Sequence, residues 1–203
     1  MADLLTRFAG VSGAGVSLVV LDDFEDGNIT EYSGDTDRFQ ALAVAAYEGA
    51  YGLRYNYADS GGGIYRLTPA VSQGNTYKWW LKVYNDPIDW CEHALFRFGV
   101  QDGTHYYAAG FDVDCTTLRL LKLDPGLTVL GSVAIAPVRD TWYQLTLAWA
   151  AGGGMTLSWS GGAQQATGSD NTYATGGFGF EGWNDTPSTS DYVVVYWDYA
   201  IKP

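Results

Sequence analysis

Short runs in which every second residue is apolar recur along the chain about every 8 to 14 residues, with Gly, Asn, Asp or Pro between them. Successive side chains of an extended chain point to opposite faces, so this period marks strands with one face buried and the other in water. The pattern predicts strands over 16–24, 38–46, 50–58, 63–68, 76–85, 92–101, 105–114, 117–123, 128–135, 141–150, 154–160, 176–183 and 190–202. Helical patterns are rare, and no longer period repeats, which argues against a propeller or solenoid. The 203 residues therefore read as one all-β sandwich domain, residues 17–203, preceded by an arm, residues 1–16.

Alternation also assigns faces. In "TYKWWLKVY" it puts Tyr77, Trp79, Leu81 and Val83 in the core and Lys78, Trp80, Lys82 and Tyr84 opposite. In "TWYQLTLAW" the apolar face is Tyr143, Leu145, Leu147 and Trp149, and "MTLSW" continues it with Met155, Leu157 and Trp159. The "AAGGG" between them predicts a hairpin.

Composition narrows the function classes. Aromatics reach 15% and Gly 26 residues, a sandwich profile. A net charge of -12 and pI near 4.3, with no basic stripe, exclude nucleic acid as a partner. The acid excess is also what a high-salt habitat favours, because salt shortens charge repulsion. The start, "MADLLTRFAGVSGAGVSLVVLDDF", has no basic region ahead of its apolar part and is broken by glycines, so it reads as an arm rather than a signal peptide. No apolar run is long enough to span a membrane.

A three-residue loop over 102–104 in "FGVQDGTHYY" pairs Gln101 with His105 and brings Cys91 opposite Cys115, within disulfide reach. Two buried thiols, or a two-residue loop that offsets the cysteines by one, are the alternatives. A disulfide points to an extracellular or otherwise exposed location.

Taken in order, "DDFEDGNITEYSGD", "YEGAYGLRYN", "YKWWLKVYN", "HALFRFGVQDGTHYYAAGFD", "TWYQLTLAW", "GGFGFEGW" and "DYVVVYWDYAIKP" resemble concanavalin A-like (laminin G-like) jelly-roll modules, of the lectin and glucanase type, found in cell-surface and virion proteins including haloarchaeal and viral ones. The similarity covers about residues 20–203 and rests on an order of strand patterns, without a catalytic motif. It implies a two-sheet antiparallel jelly-roll sandwich whose first and last strands are neighbours, with one face used for glycans.

The resemblance also implies a structural calcium between those strands. Asp23, Glu25 and Asp198 are then its ligands, with Asn28 or a backbone carbonyl completing the shell. The alternative is a group of solvated acids (Asp22, Asp23, Glu25, Asp26) before a turn at Asp26-Gly27-Asn28. Catalysis on a polysaccharide needs two carboxylates flanking the scissile bond. The alternating E-x-D-x-x-E of related glucanases is absent, and Glu92, Asp112, Asp114 and Glu181 qualify by residue type alone. His93 and His105 fit no metal spacing, and no G-x-S-x-G elbow occurs.

Sugar binding needs an open aromatic ring for the sugar's apolar face and polar groups for its hydroxyls. Trp80, Tyr84, Trp90, Tyr107 and Trp183 are the candidate rings, together with Tyr106, and Lys82 and Arg97 lead the polar set, with His93, Asn85, Asp89 and Asn184. Asn28-Ile29-Thr30 and Asn184-Asp185-Thr186 are glycosylation triplets. The sequence thus describes no enzyme but a virion surface or structural subunit (tail fibre, spike, turret or decoration). Such a subunit engages other subunits, itself as a homo-oligomer, and host glycans through a lectin-like face. A secreted or cell-surface lectin is the second reading, and a polysaccharide hydrolase or lyase the third.

Overall fold

The computed structural model describes residues 19–55, 60–84, 91–184 and 194–203. The arm, residues 1–16, lies outside the described residues. The strands are β1 (Val19–Asp22), β2 (Ser33–Gly34), β3 (Phe39–Leu42), β4 (Gly52–Tyr55), β5 (Ser60–Ser72), β6 (Asn75–Tyr84), β7 (Cys91–Asp102), β8 (His105–Asp112), β9 (Thr117–Asp124), β10 (Gly126–Ala134), β11 (Trp142–Trp149), β12 (Gly154–Trp159), β13 (Gln165–Ser169), β14 (Thr175–Asn184) and β15 (Val194–Lys202). They form two antiparallel sheets. The first runs β13-β12-β11-β6-β15-β4-β3, with β1 also paired to β15, and the second runs β10-β9-β8-β7-β14-β5-β2. The fold is the expected jelly-roll sandwich, with its first and last described strands side by side. No helix among the described residues is long and apolar enough to cross a membrane.

The predicted faces hold. Tyr77, Trp79, Leu81 and Val83 on β6, and the Tyr143, Leu145, Leu147 and Trp149 set on β11, are all buried between the sheets. The β11–β12 hairpin pairs Trp149 with Met155 and Leu145 with Trp159. Rings lock the layers together: Trp79 of the first sheet stacks on Phe96 of the second at 4.7 Å, and Trp197 lies 5.8 Å from Phe180. Aromatic pairs of this kind add roughly 0.5–1.5 kcal/mol each beyond their buried area.

Three strands were harder to read. β2 and β13 are short edge strands of Ser, Gly, Gln and Thr, with almost no apolar alternation to mark them. β5 begins earlier than expected because "SGGG" carries no side-chain pattern; its pairing comes from the ladder with β14, which sets Gly61 opposite Trp183 and Gly63 opposite Glu181.

The β7–β8 register corrects the three-residue loop. Asp102 pairs with His105 across a two-residue turn, and beyond a shift between Phe98 and Asp102 the ladder runs Phe98↔Tyr107 to His93↔Asp112. Gly99, at φ +59°, supplies the left-handed conformation at that irregularity, which its missing Cβ makes inexpensive. Cys115 consequently sits past the end of β8, the third of three consecutive left-handed residues (Val113, Asp114, Cys115), rather than in the ladder opposite Cys91. It is nonetheless disulfide-bonded, and the chain has one other cysteine, Cys91, whose side chain lies outside the described residues.

The cross-link restricts the unfolded chain most, so its removal acts on stability more than on native contacts. Cys115→Ser is expected to lower stability by about 3 kcal/mol in denaturant titrations under oxidising conditions. The same loss should appear on reducing the unsubstituted protein.

Candidate functional site

Strands β9, β8, β7 and β14 have a second face, turned away from the core. The pleat that points Ala94, Phe96, Phe98, Phe178 and Phe180 inward points His93, Leu95, Arg97, Glu181 and Trp183 outward. Register lines these up in rows: Trp183, His93 and Asp112; Glu181, Leu95, Gly110 and Arg119; Gly179, Arg97, Ala108 and Leu121. Apart from Gly110, Gly179 and Arg97, the residues of these rows line a groove of about 390 Å³ together with Tyr106, Val113, Leu123 and Leu127. Its floor, Leu95, Ala108 and Leu121, is a small apolar cluster of its own, separate from the core between the sheets. Trp183 stands at its rim, 45% exposed, edge-on to His93.

The polar groups of this face form one network. Arg97 Nε and Tyr106 Oη each donate to Glu181 Oε2 at 2.9 Å, and the Arg97 guanidinium lies 4.2 Å from the centre of the Tyr106 ring. His93 lies between two carboxylates, with Nε2 at 3.3 Å from Glu181 Oε1 and Nδ1 at 3.9 Å from Asp112 Oδ1. Asp112 accepts from Arg119 Nη1 and from the Val113 N–H, both at 2.8 Å. Burial by itself pushes the Glu181 carboxyl up, but Arg97 and His93 beside it win and hold it well below the usual carboxylate range. Burial and the Glu181 charge push the Tyr106 hydroxyl up. Gly63 is the space that Arg97 occupies, since a Cβ there would collide with the guanidinium.

Of the candidate glycan residues, Arg97, Trp183, Tyr106 and His93 belong to this face. Trp80 and Lys82 lie on the outer face of the other sheet and are engaged there. Trp80 stacks on Tyr47 at 3.8 Å, and Lys82 pairs with Asp140 at 3.1 Å while facing the rings of Trp142 and Tyr196. Tyr107 is a correction. Fully enclosed between the sheets, it donates its hydroxyl to Asp170 at 2.6 Å and has no ring face open to a ligand. Trp90, Asn85 and Asp89, and the side chains of Tyr84, Glu92 and Asn184, lie outside the described residues. Arg119, Leu121, Leu123 and Leu127 were not among the candidates. For Arg119, Leu121 and Leu123 the signal was in "LRLLKL": Leu118 and Leu120 face the core, so Leu121 and Leu123 are apolar on the outer face too.

The opening acids turn to donors of the chain itself. Asp22 pairs with Arg66 at 2.9 Å and accepts from Tyr32 at 2.7 Å. Glu25 accepts the Ala50 and Tyr51 N–H groups, and Asp23 accepts the Glu25 N–H. Asp198, almost fully buried, accepts from Tyr47, Glu48 and Tyr199, while burial pushes its carboxyl up to about 7 against those three bonds. Among the described residues no three His, Cys, Asp or Glu side chains gather where they could hold a metal. Two further recesses, about 300 Å³ beside Cys115 and about 600 Å³ beside Asn28, lack a comparable charged network.

The depressed Glu181 sets a direction with pH. A carboxylate held below its unfolded value adds stability that is present above that value and lost as pH falls through the acid range. Denaturation midpoints should therefore fall with pH below about 4. Glu181→Gln should flatten that limb and cost roughly 3 kcal/mol at neutral pH, because Arg97 is left buried without its counter-charge.

No family model matches the chain, and no curated protein matches it. Solved structures do. The carbohydrate-binding module CBM66 from Bacillus subtilis superposes with a TM-score of 0.63 at 15% identity, over 85% of this chain and 95% of that one. The globular domain of T. cruzi calreticulin gives 0.62 at 12% identity, over 91% and 88%. The Ca²⁺-bound exoplasmic/lumenal domain of VIP36 gives 0.59 at 12%, over 90% and 88%. Element order, sheet pairing and these superpositions agree that the chain has the concanavalin A-like jelly-roll fold.

Proposed function

We propose that this chain is a non-catalytic carbohydrate-binding module that holds its sugar in the groove across β9, β8, β7 and β14. Trp183 carries the reading: a large ring, 45% exposed, stands beside an apolar floor and a convergent set of charged groups. A sugar's C–H face packs on such a ring while its hydroxyls meet the polar wall. The likeness in fold to a carbohydrate-binding module supports the same reading.

The state of the carboxylates supports binding without catalysis. A glycosidase needs one carboxyl that keeps its proton to protonate the leaving group. Glu181 is held ionised by Arg97, and Asp112 is engaged by Arg119 and the Val113 N–H. We place the module on a surface, that of a virion in the first instance, where it meets other subunits, and that of a secreted or cell-surface lectin in the second. The disulfide at Cys115 supports a location outside reducing compartments.

Saturable binding on a glycan array tests the reading. Trp183→Ala should raise the dissociation constant at least about tenfold, equivalent to about 1.4 kcal/mol, with an unchanged melting temperature. Trp80→Ala, on the opposite sheet, should leave affinity within about twofold. Release of reducing ends from any polysaccharide on the array would overturn the non-catalytic assignment.

A further inference from the structure

We infer that the groove selects an acidic sugar, one bearing a carboxylate such as a uronate, with Arg119 as the group that reads the carboxylate. The inference rests on the carbohydrate-binding reading above and goes beyond it by naming the ligand class.

The hydrogen-bond inventory of the groove wall leads there. Glu181 Oε2 takes Arg97 and Tyr106, while Oε1 lies 3.3 Å from His93 Nε2 without a hydrogen bond between them. Both oxygens of Asp112 are engaged, by Val113 and Arg119. A donor-only group of the wall that is left partly unused is Arg119. Arg119 uses Nη1 on Asp112, while its Nε is shielded from water and has no acceptor among the described residues. A shielded donor without an acceptor is costly to leave so, and a ligand oxygen would remove that cost.

The chemistry of the missing acceptor follows. A neutral sugar presents hydroxyls, which both donate and accept and so also need acceptors on the protein. A carboxylate only accepts, and the planar guanidinium matches it with two parallel N–H bonds. Arg119 has room to turn toward a ligand: its neighbour in the row is Gly110, and its side chain is 26% exposed. Beside it the Leu121, Leu123 and Leu127 side chains offer an apolar bed for the sugar ring.

Long-range charge does not decide against an anion. The chain carries -12 overall, but each carboxylate of the groove is paired on this sheet face with a guanidinium, Glu181 with Arg97 and Asp112 with Arg119. At physiological salt, charges beyond about 8 Å are largely screened, so the donors at the groove wall dominate.

The test is a panel in which each acidic sugar is paired with its carboxyl-reduced counterpart, read by calorimetry or biolayer interferometry at fixed salt. The expected hits are carboxylate-bearing, with at least tenfold weaker binding after reduction. Arg119→Gln should bring each acid-to-neutral ratio close to one, and Arg119→Lys should restore part of it. Melting temperatures of both variants check folding, and the within-variant ratio is independent of any general loss of affinity. Neutral hits that bind as well as or better than their acids, and that Trp183→Ala abolishes, overturn the acidic ligand and leave the carbohydrate-binding reading standing. An unreactive panel overturns both.

Discussion

The pleat of two neighbouring strands, β7 and β14, ties the core of this protein to its groove. Phe96, Phe98, Phe178 and Phe180 must point inward to meet Trp79, Trp149 and Trp197 of the facing sheet. Their immediate neighbours in the chain then have no choice but to point outward, which is how Leu95, Arg97 and Glu181, and two positions further Trp183, reach one surface. A slip of one residue in either strand would exchange the two sets, burying Arg97 and Glu181 among rings. The aromatic packing between the sheets thus sets the register on which the groove depends.

A charged network on a sheet face is stable only when its members are partnered, because desolvated charges cost several kcal/mol each when left alone. Glu181 satisfies this condition through Arg97, Tyr106 and His93, and the glycine at position 63 gives the guanidinium its place. The outer face of the other sheet is a useful contrast. Tyr47, a residue of the segment that follows β3, covers Trp80, and Lys82 lies against Asp140, Trp142 and Tyr196. The groove differs in its open tryptophan, whereas a shielded guanidinium Nε without a hydrogen bond occurs on both faces, at Arg119 and at Arg54.

Much of this was legible in the strands. Alternation identified the core faces of β6, β11 and β12, because each of those strands has one apolar and one polar side. It was silent at β13 and at the glycine start of β5, where no side chain reports a face. Tyr107 misled for a related reason: a tyrosine is compatible with either face, and its hydroxyl finds Asp170 at the sandwich margin while its ring stays in the core. Arg119 was invisible as a site residue because its partner Asp112 is brought to it by the β8–β9 turn.

The sequence by itself determined the class of fold, the order of most strands and which side chains are core, since those follow from a period of two and the cost of leaving apolar surface in water. Only the tertiary structure decided which outward residues share a surface. Trp183 and His93 are 90 positions apart in the chain yet face each other across β14 and β7, and Trp80 and Arg97, nearer in sequence, are on opposite sides of the sandwich. Pairing between strands, set by hydrogen-bond register and by the fit of rings between sheets, carries no local mark along the chain.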